Sequence, residues 1–217
     1  MTETHRRLPL WLTIAYTAFV ALLVPIYLRD YGPTNFLYFC DIALLLTVYA
    51  MWRERPLPAS IALVGILVAQ TLWITDFITR MVGVPVTGAD GMTAYMFNPK
   101  APLFTRFLSF FHFWLPLLLL YVVKRLGYDK RALKWTTFGG WVVLSICFFF
   151  MPPPPAPADD PHLPVNINMI HGFSDSAPQT AMPPLANFAM MIVLWFIIGC
   201  LPPHLILSRW FMRKEEK

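Results

Sequence analysis

Charge is scarce in this sequence. Asp, Glu, Lys and Arg make up 13% of its 217 residues, about half the share a soluble domain carries. With 57% hydrophobic residues and a mean hydropathy of +0.56, that scarcity argues against a soluble globular domain and for an integral membrane protein. Cysteine is scarce too. Cys40, Cys147 and Cys200 fall in three different apolar segments with no C-x-x-C spacing. A disulfide framework and a metal centre are therefore not expected, and neither metal nor cofactor is assigned. No internal repeat is evident, so an inverted-repeat transporter is not invoked. The apolar runs do not alternate with polar residues, which argues against a β-barrel. Arg6-Arg7 precedes the first apolar run, but the run is long and no A-x-A site follows. An uncleaved first helix is expected.

What the chain does have is six apolar stretches. They run from about Leu8 to Leu28, Asn35 to Trp52, Ala59 to Val82, Pro102 to Val123, Ala132 to Phe150 and Pro183 to Leu207. Each is close to the roughly 20 residues a spanning helix needs, and lipid offers no partner to open backbone groups. The expectation is an all-α bundle of six transmembrane helices forming one domain over residues 1–217. Basic residues set its orientation. With both termini cytoplasmic, Arg6, Arg7, Arg53, Arg55, Lys124, Arg125, Lys130, Arg131, Lys134, Arg209, Arg213, Lys214 and Lys217 lie inside, and only Arg29, Arg80, Lys100 and Arg106 lie outside. The net charge of +5 is thus a topology signal. Nucleic acid is excluded as a partner; membrane lipids are the expected one. The implied location is a cell membrane, crossed several times.

Two external connections are long. Gly83 to Ala101 carries Tyr95-Met96-Phe97, and Met151 to Pro184 opens on four prolines. A loop as long as 151–184 in a small protein is either disordered or a functional lid. Its second half, Val165 to Phe173, mixes apolar and polar residues and is expected to pack down on the bundle.

Ionisable residues stand out against this background. At about 1.5 Å per residue, Asp41 lies roughly 9 Å inside the second span, Asp76 a similar depth inside the third, and His112 about 13 Å inside the fourth. Arg80 and Arg106 lie nearer the external surface. Ionisable groups in hydrocarbon cost several kcal/mol and pair with one another. Asp76 and Arg80 are four residues apart and share a helix face, so a local ion pair is one reading. Arg106 has the option of snorkelling. His112 is a packing histidine or a general base. Asp41, too short to snorkel, is a functional polar group or a clamp between helices. Cys40 is a packing residue or a nucleophile. Tyr38, three residues before Asp41, shares its face. The heads of the second, fourth and sixth spans ring the same external region and favour a negatively charged ligand group there. Asn166, Asn168 and His171 on the docked half of the long loop complete the candidate binding set. Pro202-Pro203-His204 is expected to break the last span at the interface, leaving His204 exposed or interfacial.

The segments Asn35 to Thr47, Trp73-Ile74-Thr75-Asp76-Phe77, Leu108 to Pro116, Leu126 to Leu133, Asn166-Ile167-Asn168 and Pro178-Gln179-Thr180 resemble a family of bacterial proteins known only as "membrane-associated protein". That family has no assigned activity. More distantly, the six spans and His112-x-x-Leu115-Pro116 resemble the androgen-induced family of six-helix lipid hydrolases and YwaF-like bacterial membrane proteins. In those hydrolases a threonine on the second span and a histidine on the fourth cleave a fatty-acid ester. His112 matches the histidine, whereas Tyr38 stands at the threonine and Asp41 at a nearby asparagine. Three functions follow as expectations. The first is a lipid- or partner-binding membrane protein. The second is an intramembrane hydrolase or acyltransferase on lipid esters, with His112 as base, Cys40 or water as nucleophile, Asp41 orienting His112, and Arg80 and Arg106 on the acyl or phosphate oxygen. The third is a proton-coupled carrier using Asp41.

Overall fold

The computed structural model describes residues 6–99, 101–160 and 163–212. Lys100, Arg213, Lys214 and Lys217, used above in assigning orientation, lie outside the described residues. Among those described, every regular element is helical. The α-helices are α1 (Leu10–Asp30), α2 (Phe39–Arg53), α3 (Pro56–Met81), α4 (Ala94–Phe97), α5 (Leu103–Leu108), α6 (Phe111–Leu126), α7 (Ala132–Phe150), α8 (Pro184–Leu194) and α9 (Leu201–Met212). Short 3-10 turns cover Pro33–Leu37 and Ile167–Met169, and a π-helical turn, Trp195–Cys200, joins α8 to α9.

Five helical segments are long and apolar enough to cross a membrane: α1, α3, α5 with α6, α7, and α8 through α9. Their surfaces agree with that reading. Trp11 is 69% exposed, Leu117 66% and Phe150 75%, a cost in water that acyl chains remove. α3 lies at the centre and packs against α2, α6, α7 and the last helix. Leu44, Met51, Leu63, Ile66, Leu115 and Leu119 are fully buried there.

The second apolar stretch differs from a plain span. Its helix has 15 residues, about 22 Å at 1.5 Å per residue against a hydrocarbon core of roughly 30 Å. Pro33 starts a 3-10 turn, and Tyr38 is extended (ψ 137°) before α2 begins. The helix therefore starts late, and loop backbone occupies its missing first turns. At the other end, Glu54 sits in the left-handed region (φ 47°). Its carboxylate accepts the Arg7 and Leu8 N–H groups at 3.1 and 3.0 Å, which ties the segment before α1 to the α2–α3 turn.

The last helix also departs from expectation. It is not broken at Pro202-Pro203 but runs on to Met212. The irregularity comes earlier, in the π-helical turn, because prolines at 202 and 203 cannot donate to the carbonyls of Ile198 and Gly199. His204 is half-buried rather than exposed, and its Nδ1 meets the Tyr128 hydroxyl at 2.8 Å. Trp195, at the head of the turn, stacks on Phe39 at 4.0 Å and donates its indole N–H to the Thr136 carbonyl at 3.3 Å. Only glycine fits opposite it: a Cβ on Gly140 would stand 2.0 Å from the indole nitrogen.

Candidate functional site: a capped polar cluster

Two loops cover the end of the bundle at which α2 begins. The long loop is docked, as its mixed sequence predicts. Ile167 and Ile170 are fully buried and pack with Leu144 and Cys147 of α7. Asn166 and Asn168 hold left-handed backbone (φ 50° and 58°), which asparagine tolerates better than most residues. The Asn166 amide donates to the carbonyls of Gly172 and Ser174 and to Asp175, and its oxygen accepts the His171 N–H at 2.9 Å. Asn168 reaches the bundle. It accepts the Phe39 N–H at 3.1 Å and donates to the Leu37 carbonyl at 2.9 Å. The head of α2, expected to face a ligand anion, is therefore capped by the protein's own loop. The Tyr38 hydroxyl donates to the Val165 carbonyl at 3.5 Å. Asn187 of α8 donates to the Ile170 carbonyl at 2.7 Å.

The shorter loop is held by Asp76 and Arg80. Asp76 is fully buried. It accepts the Thr87 N–H at 2.8 Å and the Thr93 hydroxyl, and pairs with Arg80 Nη2 at 3.3 Å. Arg80 also donates to Thr93 at 3.0 Å and to the carbonyls of Ala89 and Gly88 at 2.8 and 2.7 Å. The local ion pair is real, and every one of its other bonds goes to the loop. These two residues act as a staple between α3 and the loop.

Beneath the loops lies the polar cluster. Asp41 is 2% exposed. Its Oδ2 accepts the Asn35 amide at 2.9 Å, while Oδ1 has no hydrogen-bond partner. Tyr27, Tyr31 and Tyr38 are within electrostatic reach of the carboxylate. Tyr27 shares a 2.7 Å hydrogen bond with Ser109, and its ring meets Tyr31 edge-on at 5.4 Å. The Tyr31 hydroxyl is buried and unpartnered, with Arg106 in reach of it. Arg106 donates Nη1 to the Met96 carbonyl at 3.1 Å, and its buried Nε is unpartnered as well. Three segments of the chain thus supply one acceptor, one hydroxyl and one charged donor that have no hydrogen-bond partner among the described residues. Such atoms are rare in native interiors and call for an explanation.

His112 stands apart from Asp41. Its Nδ1 lies 2.7 Å from the Ser109 carbonyl, and its ring stacks on Trp73 at 4.5 Å. A carbonyl can only accept, so Nδ1 carries the hydrogen and Nε2 keeps its lone pair. No hydrogen bond joins His112 to Asp41 or to Cys40, and the acid–base pairing expected from the sequence does not form. Cys40 is half-buried and free. His171 stacks on Phe148 at 5.5 Å and its buried Nε2 is unpartnered.

Between the loops is a small pocket of about 240 Å³, lined by Asp90, Met92, Tyr95, Asp175 and Ser176. Ser176 donates to Asp90 and so joins loop to loop. Burial raises the Asp175 pKa, and neighbouring Asp90 adds to the rise. Burial lowers that of His171. Tyr95 lies beside Ser109 and Trp73, and so links the pocket to the cluster. Among the described residues no group of three or more His, Cys, Asp or Glu side chains is placed to hold a metal ion.

Sequence reasoning missed Asn35, Tyr27, Tyr31, Tyr95, Ser109 and Trp73. Tyrosines near helix ends read as interface anchors. Nothing in their spacing says that three elements bring them to one carboxylate. No family model, curated protein or solved structure matches the chain.

Proposed function

We propose that this is a multi-pass protein of a bacterial cytoplasmic membrane. It spans six times with both termini cytoplasmic, and its external polar cluster binds a membrane lipid by its head group without chemical turnover. α2 serves as the short sixth span, with the docked loop filling the missing depth. Irregular backbone at that depth is tolerated where protein buries it, and Asn168 supplies what it needs. The observation that carries the binding reading is the set of unpartnered atoms: Asp41 Oδ1, the Tyr31 hydroxyl and Arg106 Nε. An acceptor carboxylate and a cationic donor that both act on Tyr31 suit a zwitterionic head group, with its ammonium N–H on Asp41 and its phosphate on Arg106. Asp90 and Asp175 at the pocket mouth favour an approaching ammonium.

The test is native mass spectrometry of the protein taken from nanodiscs of mixed phosphatidylethanolamine, phosphatidylcholine and phosphatidylglycerol. Phosphatidylethanolamine is expected to be retained over phosphatidylcholine, whose quaternary ammonium has no N–H. Asp41→Asn and Arg106→Gln are expected to remove that preference. Equal retention of the two lipids by wild type would refute it.

A second reading, hydrolysis of a lipid ester, draws on the lone pair at His112 Nε2, which suits a general base. It predicts His112-dependent loss of a fatty-acyl ester, with Cys40 alkylation blocking turnover. Unchanged ester levels on incubation with wild type would remove it.

A further inference from the structure

The opposite end of the molecule has a feature of its own. A groove of about 590 Å³ runs between α7 and the π-helical turn, lined by Lys134, Thr137, Phe138, Trp141 and Phe196 among others. That volume is in the roughly 300–1,000 Å³ range of pockets that hold a small organic ligand. It exists for a structural reason. The π turn displaces Phe196 from a regular helical course, and the close contact of Trp195 with Gly140 fixes how the two helices meet.

Charge is distributed unevenly along this groove. Lys134, Thr137, Phe138 and Trp141 are three to four residues apart and share a face of α7. Going into the helix, that face passes from an ammonium to a hydroxyl to aromatic rings. Thr137 is buried, and its hydroxyl lies beside the Cys200 thiol. Lys134 is exposed, with its ammonium 5.8 Å over the Trp135 ring. Lys130, one turn earlier in the sequence, acts electrostatically on His204 of α9 and is not among the groove's lining residues. Neither lysine makes an ion pair with a described residue. Arg131, by contrast, is neutralised by Asp129 at 2.7 Å. The apolar groove therefore carries one uncompensated positive charge in its lining, that of Lys134.

We infer that this groove is a binding site for an anionic phospholipid, with its phosphate at Lys134 and one acyl chain along Phe138, Trp141 and Phe196. A basic mouth selects anionic over zwitterionic head groups, and an apolar floor selects a lipid over a free phosphate. The site is separate from the capped cluster in place and in preference. One takes an ammonium through a carboxylate; the other takes a net negative charge through a lysine.

The same nanodisc mixture tests it, scored now for phosphatidylglycerol against phosphatidylcholine. Wild type is expected to retain phosphatidylglycerol preferentially. Lys134→Gln is expected to lose roughly fivefold of that preference. Phe196→Ala is expected to weaken retention of both lipids, as a lost acyl-chain contact requires. Arg53→Gln, an exposed cation at the end of α2 away from the groove, is expected to leave the preference intact. Lys134 is on the surface, so its variant folds, and thermal unfolding of each variant checks this directly. Equal retention of the two lipids by wild type, or an unaltered preference in Lys134→Gln, would overturn the inference.

Discussion

Replacing Asn168 by alanine should unlatch the long loop. Besides a contact with Cys147 Sγ at 3.6 Å, the side chain makes two bonds at the start of α2: it accepts the first N–H of the helix, from Phe39, and donates to the Leu37 carbonyl just before it. Losing a helix cap costs about 1 kcal/mol. Leaving a sequestered carbonyl unpaired costs roughly 1–3 kcal/mol. Position 168 is also left-handed, at φ 58°, which costs a residue with a plain Cβ about 1–2 kcal/mol. The sum is about 3–6 kcal/mol, and 3 kcal/mol is already on the order of a hundredfold in the docking equilibrium. Limited proteolysis in the loop reads this directly, because cleavage tracks the open population when reclosing is fast. Asn168→Gly separates the contributions. It loses the same two bonds but not the backbone preference, so it should be cut about five- to thirtyfold more slowly than the alanine variant. If Asn168→Ala is cut at the wild-type rate, the loop does not depend on this latch and the reasoning fails.

Asp76→Asn should release the shorter loop. Breaking a buried ion pair costs about 3–5 kcal/mol, and thermal unfolding in detergent together with protease cutting within residues 83–101 should both move in that direction. His171 titrates with a sign that can be checked. Burial holds its pKa below the ordinary value, so it favours the folded state while neutral, and that stability is lost as pH falls below about 6.5. The raised pKa of Asp175 acts oppositely, tightening the loop as pH falls further into the carboxylate range. His171→Phe keeps the stack on Phe148, so it should flatten the decline in melting temperature between pH 7 and pH 5.5. An unchanged slope would refute the assignment. The six-span topology is read by labelling intact cells with a membrane-impermeant maleimide. Asp90→Cys and Asp175→Cys should react from outside; Arg53→Cys and Asp129→Cys should react only after permeabilisation.

Much of the architecture could be read in advance because hydrocarbon constrains a chain strongly. Each of the six apolar stretches contains a helix, and the Asp76–Arg80 pair followed from four-residue spacing alone. The mixed polar and apolar character of Val165 to Phe173 correctly marked a docked segment. The break at Tyr38 was not legible, since Phe36-Leu37-Tyr38-Phe39 is as apolar as any spanning helix. What decides it is Pro33 upstream and an asparagine 129 residues downstream of Phe39. His112 and Asp41 lie at similar computed depth on different spans, and depth says nothing about helix rotation. The ring at 112 turns to Trp73 and the carboxylate at 41 turns to Asn35. The partners that keep them apart come from loops and helix ends, where hydrophobic periodicity carries no signal.

The two halves of the capped end are held at one junction, and this has a consequence for binding. The Asn35 to Asp41 hydrogen bond spans the same break at Tyr38 that Asn168 latches from the other side. α2 cannot lengthen by a turn without breaking both, because the residues that would join it are the ones held as a 3-10 turn. The orientation of Asp41 is therefore set by loop docking as well as by its own helix. A group that satisfies Asp41 Oδ1 stabilises the latched arrangement, and the latched arrangement in turn pre-orients Asp41. Linkage requires these two effects to be equal in free energy. On the proposed head-group binding, closure of the loop and occupancy of the cluster beneath it are coupled through the position of one short helix.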